Sequence, residues 1–267
     1  MRDRESEHVS AIGMVPGRKP GRRFEIDPSG RLSDPLYLFS YHALCTTAGS
    51  IIDLAGRVNL TRNGSVAVVL SGGPEAEDFI VLDFPGVSSA YLSNASTADW
   101  WSGSTPFSGS CWFRLDALPP PDDGPALVSR VKASDGGGFT LLCYNAGGAG
   151  TRVLLYTDPG ADAGSSLTHG TNLSATTWYH AAWAWDGTKR YLWLDGGSEA
   201  SDTPGFTPAV SASDTEFRIG GQNSGGFPRP LDGRICHVAQ WRGLALTPSD
   251  VQLLYNGGKP NRLRTAA

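Results

Sequence analysis

Glu75, Glu77 and Asp78 form a short acidic run whose spacing could supply two catalytic carboxylates. Glycoside hydrolases place two carboxylates beside the scissile bond, and Glu75 and Glu77 would share one face of an extended strand. The run follows the sequence Gly-Gly-Pro at 72–74, which favours a loop that leads into a strand. We therefore predict that the protein is not an enzyme and rank glycoside hydrolysis behind two non-catalytic functions.

The five histidines and four cysteines show no spacing typical of a catalytic or metal site. No histidine belongs to a recognisable nucleophile motif, and the long cysteine spacings without a Cys-x-x-Cys pair argue against zinc. We predict hydrogen-bonded structural histidines, and cysteines that act as small buried apolar side chains. We expect no catalytic residue, no metal ligand and no cofactor. The residues concerned are His8, His42, His169, His180, His237, Cys45, Cys111, Cys143 and Cys236.

Trp100 and Trp101 are the aromatic residues that could contact a ligand. They lie between the Ser-, Thr- and Gly-containing stretches 96–99 and 102–104, in a predicted loop. Exposed aromatic side chains on loops can stack on sugar rings or anchor protein interfaces. The alternative is that this loop folds back over a sheet edge. By contrast, three tryptophans alternate with smaller residues and are predicted to pack in the core, namely Trp183, Trp185 and Trp193.

Four basic residues cluster near the N-terminus, at Arg18, Lys19, Arg22 and Arg23. They could contact phosphate or an acidic face of a partner, or they could form a solvated arm. The formal net charge of the whole chain is −4, which gives no bulk attraction to nucleic acid. We therefore predict no specific nucleic-acid binding and treat the cluster as a candidate contact with another protein subunit.

The elements that would position these residues are short strands. The chain has 34 glycines and 18 prolines but only 18% charged residues, a composition typical of strands joined by tight turns. One helix is predicted over 251–255, with Thr247 as N-cap and Pro248 in the first turn. The strands are predicted at 66–70, 79–84, 110–115, 126–131, 138–144, 152–156, 178–185, 190–194, 217–219 and 234–241.

The chain divides into three predicted parts. Residues 1–35 mix charge with Pro and Gly and lack apolar periodicity, so we expect an extended arm that orders on a neighbour. Residues 36–258 form the domain, and 259–267 form a tail. The first residues have no apolar segment typical of a secretory signal, and no run is long enough to span a membrane. We therefore expect synthesis in a cytoplasm and no membrane partner.

Several segments together resemble the laminin-G-like, concanavalin-A-like jelly-roll family. The stretch TTWYHAAWAWDGTKRYLWLDG at 176–196 is similar to the family's central hairpin, with its Trp-Tyr-His start and two Asp-Gly turns. Further stretches agree in order and spacing. They are 51–66, 79–93, 107–116, 217–222 and 231–258. The resemblance implies an all-β, two-sheet antiparallel jelly-roll sandwich, here with an N-terminal arm and one short C-terminal helix.

One departure from the family concerns calcium. Relatives usually carry two acidic residues in the final strand, and an acidic residue there helps to hold a structural calcium ion. Cys236 and His237 stand at these positions. Because calcium requires several oxygen ligands, the departure puts that site in doubt.

These observations lead to three functional hypotheses. The first is a structural subunit of a larger particle, such as a phage capsid decoration or fibre protein, that assembles through the arm, forms a homo-oligomer and is found in the virion. The second is a lectin-like module that binds carbohydrate, with an extracellular or cell-surface location. The third is a glycoside hydrolase. A surface module on a virion could also bind glycans, so the first two are compatible.

Overall fold

The computed structural model of this chain describes residues 24–25, 32, 37–39, 50–51, 60–69, 72–74, 81–94, 104–132, 137–160, 163–208, 215–223, 228–260 and 264–265. The described strands are β1 (Phe24–Glu25), β2 (Tyr37–Phe39), β3 (Ser50–Ile51), β4 (Leu60–Asn63), β5 (Ala67–Val69), β6 (Val81–Pro85), β7 (Tyr91–Asn94), β8 (Phe107–Leu115), β9 (Ala126–Lys132), β10 (Gly138–Asn145), β11 (Thr151–Asp158), β12 (Ser165–Asn172), β13 (Trp178–Trp185), β14 (Arg190–Leu194), β15 (Glu199–Asp202), β16 (Thr215–Ile219), β17 (Asp232–Arg242) and β18 (Arg264–Thr265). One α-helix, α1, spans Pro248–Tyr255, and single turns of 3₁₀ helix span Gly147–Ala149 and Asn256–Gly258.

The described strands form two large antiparallel sheets that pack face to face. The helix-covered sheet has the order β15-β14-β13-β8-β17-β6-β5, and β2 also pairs with β17. The open sheet has the order β12-β11-β10-β9-β16-β7-β4-β3. The centre of each sheet pairs strands that are distant in sequence, in the orders β13-β8-β17-β6 and β9-β16-β7-β4, as in a jelly roll. The expected jelly-roll sandwich with one short C-terminal helix is confirmed.

The space between the sheets is filled by large apolar side chains. Trp183 and Trp185 of β13 are fully buried there, against Phe107 and Phe139 among others. Gly109 of β8 lies under the Trp183 indole, since a Cβ at this glycine would come within 2.2 Å of the ring. Cys111 and Cys143 also lie in this core as free, buried thiols. Both the core tryptophans and the buried state of these cysteines match the sequence-based prediction.

A second apolar cluster covers the outer face of the helix-covered sheet. Trp193 and Trp241 project from β14 and β17 and pack with Val251 and Leu254 of α1. The helix begins as predicted: the Thr247 hydroxyl accepts a hydrogen bond from the backbone N–H of Asp250, whose carboxylate accepts one from the N–H of Thr247. This capping box fixes the start of the helix and so places its apolar side on the sheet.

An arginine joins the two sheets at one edge of the sandwich. Arg190 at the start of β14 is 1% exposed, and its Nε donates to Asp202 Oδ1 of β15 at 2.8 Å. Its Nη1 donates to Thr157 Oγ1 of β11 at 2.9 Å and to the Ser165 carbonyl of β12 at 2.7 Å. The guanidinium therefore bonds to both sheets at once. This contact connects strands distant in sequence and was not predicted.

Two short terminal segments also pair with other parts of the chain. Phe24–Glu25 of the predicted arm pairs with Arg264–Thr265 of the predicted tail. Leu32 is fully buried in the cluster under the helix, and its carbonyl accepts a hydrogen bond from Trp241 Nε1 at 3.4 Å. Parts of the predicted arm thus contact the rest of the chain. Among the described residues, none belongs to a helix with the length and apolar character to cross a membrane.

Candidate functional site

The residues predicted to bind a ligand or partner lie outside the described residues. These are Trp100, Trp101, Arg18, Lys19, Arg22 and Arg23, together with the acidic run Glu75, Glu77 and Asp78. Their roles remain predictions. The segment that carries Trp100 and Trp101 begins directly after Asn94, the last residue of β7 in the open sheet.

A row of polar side chains crosses the outer face of the open sheet. The register places one residue from each of seven neighbouring strands in line, because each is the direct cross-strand partner of the next. All but one of the seven carry a hydroxyl, and the exception is an arginine. From β4 to β12 they are Thr61, Ser93, Arg218, Ser129, Thr140, Tyr156 and Ser166.

The segment that follows β16 closes the central part of this row. Ser129 Oγ donates to the Gly221 carbonyl at 2.8 Å, and Thr140 Oγ1 bonds to Gln222 Oε1 at 3.2 Å. Ser129 and Thr140 are almost completely buried. Hydroxyls with internal partners and no exposure cannot contact a ligand, so the centre of the row is structural.

Arg218 anchors the same segment. Its Nη1 donates to the Gln222 carbonyl and its Nη2 to Asn223 Oδ1, each at 3.0 Å. Its Nε donates to Glu216 Oε2 at 2.6 Å, and the guanidinium lies 4.0 Å from the centre of the Tyr91 ring. The donors of this arginine are thus engaged within the protein, which leaves little capacity for an added ligand.

The open sheet remains accessible at β10, β11 and β12. Tyr144 and Tyr156 are half-buried on its outer face. Leu142 and Leu154, which pair with each other between them, are only 4% and 9% exposed. Ser166 and Thr168 of β12 are exposed beside this stripe. Tyr156 is opposite Thr140, four positions from Tyr144 along β10, so the two rings are offset by about 13 Å along the strands. The result is an extended apolar stripe bordered by hydroxyls.

The two carboxylates that the register places on this face are both held by the protein. Asp158 Oδ2 accepts the Tyr156 hydroxyl at 2.8 Å, and Asp158 Oδ1 accepts the Gly160 N–H at 2.6 Å. Asp158 itself is completely buried. Glu216 is paired with Arg218. Neither carboxylate has the free position beside an open cleft that a catalytic acid requires.

The described histidines have structural surroundings. His180 is buried against Trp112, with ring centres 5.2 Å apart, and burial lowers its pKa to about 3, so the ring is neutral. The His169 Nδ1 accepts the Thr171 N–H at 3.3 Å, which leaves Nε2 to donate to the Ser198 carbonyl at 3.1 Å. His237 occupies a β-bulge in β17, with a positive φ of 49°.

The described cysteines and acidic residues supply no metal centre. Cys111, Cys143 and Cys236 are buried free thiols, and burial raises the pKa of each. No cluster of three or more His, Cys, Asp or Glu residues suited to a metal ion occurs within the described ranges. Cys45 and the histidines at 8 and 42 lie outside those ranges.

A second group of polar and aromatic side chains lies on the outer face of the helix-covered sheet, beyond the end of α1. It is also a cross-strand row, made of Trp178, Arg114, Arg234 and Asp83. The row contains two arginines directly opposite each other on β8 and β17. It is separated from the helix by a row that contains Trp112, on which Tyr255 stacks at 5.7 Å.

Solved structures with the same fold belong to several binding proteins and enzymes. Domain 4 of AbnA, an extracellular arabinanase from Geobacillus stearothermophilus solved with arabinotriose, is 17% identical, with a TM-score of 0.59 over 83% of this chain and 99% of that one. The receptor-binding domain of botulinum neurotoxin C/D is 13% identical, with a TM-score of 0.61 over 85% of this chain and 55% of that one. A Trypanosoma rangeli sialidase is 18% identical, with a TM-score of 0.57 over 90% of this chain and 35% of that one.

Sequence comparison gives a more specific result. No curated protein matches the sequence. A family model described as the concanavalin A-like lectin/glucanases superfamily matches residues 86–252, more than half of the chain and all within the predicted domain. The match includes β8 to β17 and hence the main strands of both sheets. The chain therefore belongs to the concanavalin A-like lectin/glucanase superfamily.

Proposed function

We propose that this protein is a non-catalytic carbohydrate-binding module and that the glycan lies on the accessible part of the open sheet. The observation that carries the proposal is the pair of partly exposed tyrosines, Tyr144 and Tyr156, beside the exposed residues of strand β12. Sugar rings present apolar C–H faces and peripheral hydroxyls. An extended stripe of aromatic rings with hydroxyls at its border matches both features.

Membership of a lectin and glucanase superfamily supports this proposal, but fold alone does not fix function. The geometry favours binding over hydrolysis, because Asp158 and Glu216 are engaged by other protein groups. Trp100 and Trp101 are proposed to extend the same surface, since their segment continues from β7 of the open sheet.

The test is a glycan array followed by isothermal titration calorimetry with the sugars that bind. Tyr144→Ala with Tyr156→Ala should weaken binding at least about tenfold, in line with the loss of stacking at two aromatic rings. Tyr191→Ala is the matched control, because Tyr191 is a half-buried tyrosine that stacks on Trp193 on the other sheet. An absence of binding at millimolar sugar, or equal affinities for the double variant and the control, would refute the proposal.

A second proposal is that the module is a subunit of a larger assembly, such as a phage virion, in which it occurs as a homo-oligomer. The specific observation is the pairing of Phe24–Glu25 with Arg264–Thr265. Such a two-stranded ribbon has outer edges that can accept a strand from a neighbouring subunit. Arg18, Lys19, Arg22 and Arg23 come shortly before it in sequence.

Light scattering and limited proteolysis test the assembly proposal. The full chain should form oligomers in which residues 1–23 resist protease, and deletion of 1–23 should yield monomers that still bind glycan. A full-length monomer with a protease-sensitive N-terminus at high protein concentration would contradict it.

A further inference from the structure

We propose a second saccharide site on the outer face of the helix-covered sheet, specific for a sugar that carries a carboxylate or a sulfate. It is formed by Trp178, Arg114, Arg234, Asp83 and Asp116. The site lies on the sheet opposite the stripe of Tyr144 and Tyr156, and it does not depend on the function proposed for that stripe.

The arrangement of the two arginines is the first argument. Arg114 and Arg234 are direct cross-strand partners on β8 and β17. Side chains at such positions start about 5 Å apart, and like charges there destabilise a sheet. Each guanidinium already has one carboxylate beside it, Asp116 for Arg114 and Asp83 for Arg234, and an added anion between them would contact both guanidinium groups. A carboxylate or sulfate can accept two parallel N–H bonds from an arginine.

The second argument is that these guanidinium groups have unused donors. Arg114 Nε and Nη2 both donate to a single oxygen, Asp116 Oδ1, at 3.1 and 2.5 Å. Within the described residues, Arg234 Nη2 forms an ion pair with Asp83 Oδ2 at 3.5 Å. This distance is longer than that of an ordinary hydrogen bond. Arg234 Nε is buried without a hydrogen-bond partner. Arginine carries five N–H donors. The buried Arg234 Nε cannot reach a surface ligand, so the donors proposed for the ligand are Arg114 Nη1 and the Nη groups of Arg234.

The side chains are also accessible. The exposed fractions are 19% for the Arg114 side chain and 23% for the Arg234 side chain. Those of Asp83 and Asp116 are 28% and 37%. A ligand on the surface can therefore reach both the donors and the acceptors.

The composition of the site favours a sugar over a simple ion. Together with Asp116, the row has two arginines and two aspartates and no net charge, so long-range attraction of anions is weak. The free Asp116 Oδ2 and the loosely paired Asp83 can accept sugar hydroxyls, while the arginines bind the acidic group. Trp178 stands next to Arg114 and is half-buried, and its Nε1 donates to the Gly72 carbonyl at 3.2 Å. The fixed indole offers an apolar surface for the sugar ring.

One wall of the site is set by Gly72. A Cβ at this residue would lie 2.7 Å from Arg234 Nη1, and the backbone has a positive φ of 86°. The chain therefore passes directly over the guanidinium, and only glycine permits this approach without displacing it. Gly72 thus limits the site on one side.

Calorimetry with the full chain tests the site with four probes: an oligogalacturonate, a sulfated neutral oligosaccharide, the unsulfated parent sugar and inorganic sulfate. We expect at least one acidic saccharide to bind more tightly than the neutral sugar and inorganic sulfate. Arg234→Gln should lower that affinity at least about tenfold, as expected for lost charge-assisted hydrogen bonds. Arg234→Lys, which keeps the charge but loses the planar fork, should lower it as well.

The control is Arg242→Gln, an exposed arginine at the far end of the same strand. It should bind as the unmodified protein does. The proposal is overturned if no acidic saccharide binds or if Arg234→Gln and Arg242→Gln bind equally. It is also overturned if inorganic sulfate binds as tightly as the saccharides. Thermal unfolding of each variant verifies that it is folded.

A competing role for the arginines can be detected in the same series. Glu75, Glu77 and Asp78 follow Gly72 in the sequence, and they could pair with Arg114 and Arg234. The variant in which these three residues are changed to amides is compared with Arg234→Gln. If both lower the unfolding temperature equally and no acidic saccharide binds, the arginines pair with the chain's own acidic segment. In that case the proposed saccharide site does not exist.

Discussion

The outer faces of the two sheets are covered by different parts of the chain and to different extents. On the helix-covered sheet, α1 and Leu32 seal an apolar cluster around Trp193 and Trp241. On the open sheet, hydroxyl-bearing residues form a row whose centre is covered by the segment after β16. Apolar burial drives folding, whereas accessible polar and aromatic groups serve recognition. We therefore propose that the helix-covered face mainly stabilises the fold and that the open face mainly contacts the ligand.

The largest expected effect is a difference in the free energy of unfolding between substitutions on the two faces. Trp241→Ala should lower the free energy of unfolding by about 3–5 kcal/mol, because it removes a buried aromatic group under the helix. Thr168→Ala on the exposed part of the open sheet should change it by less than about 0.5 kcal/mol. Urea unfolding of both variants measures the difference. Similar losses in the two variants would contradict the assignment.

The second prediction concerns pH and the face under the helix. His180 has a folded-state pKa of about 3, below its ordinary value of 6.5, because it is buried. The unfolded chain therefore binds a proton that the folded chain excludes, and stability falls as pH drops from about 6.5 toward 3. The slope from this group is at most about 1.4 kcal/mol per pH unit.

His180→Leu should remove this contribution and leave that of the carboxylates. Between pH 6.5 and 4.5 its stability should fall less steeply than that of the unmodified protein in urea unfolding experiments. Parallel pH profiles for the two proteins would show that His180 is not excluded from protonation in the fold.

A smaller effect is expected at the edge where the sheets are joined. Arg190→Met should destabilise the protein by about 1–2 kcal/mol, since Thr157 and Ser165 lose a charged donor while Asp202 stays partly solvated. Hydrogen exchange should rise in β12 and β15, one strand from each sheet. Faster exchange in only one of these strands would show that Arg190 does not couple the faces.

The smallest effect is at the helix start. Thr247→Ala removes one half of the capping box and should cost about 1 kcal/mol. Because this change weakens only the start of α1 on the helix-covered sheet, glycan affinity at the open sheet should stay unchanged. A loss of glycan binding in this variant would mean that the helix contributes to the ligand surface.

Strong apolar patterns made most of the fold predictable. The bounds of β13 and β14 agree with the prediction, since their tryptophans alternate and an Asp-Gly sequence lies between them. The strands β12 (Ser165–Asn172) and β15 (Glu199–Asp202) were not predicted. Both are edge strands with mostly polar residues, and they contact each other where the sandwich closes. Polar edge strands lack the periodicity from which strands are recognised.

The candidate surfaces were less predictable for a related reason. In β10 and β11 apolar residues occur in both alternating sets, so the sequence does not show that Tyr144 and Tyr156 face outward. The adjacency of Arg114 and Arg234 depends on the register of β8 against β17, strands more than a hundred residues apart. Cross-strand register of distant segments is set by tertiary packing and cannot be read from local pattern.

The proposal that glycans bind the open sheet is tested most directly by locating a bound glycan by NMR. A sugar that binds in the array is titrated into isotope-labelled protein, and the affected resonances are mapped onto the two sheets. Neutral glycans should shift the resonances of residues on the open sheet, namely Tyr144, Tyr156, Ser166 and Thr168. The resonances of Trp193 and Trp241 on the helix-covered sheet should stay unchanged. Shifts confined to the helix-covered sheet, with β10 to β12 unaffected, would contradict it.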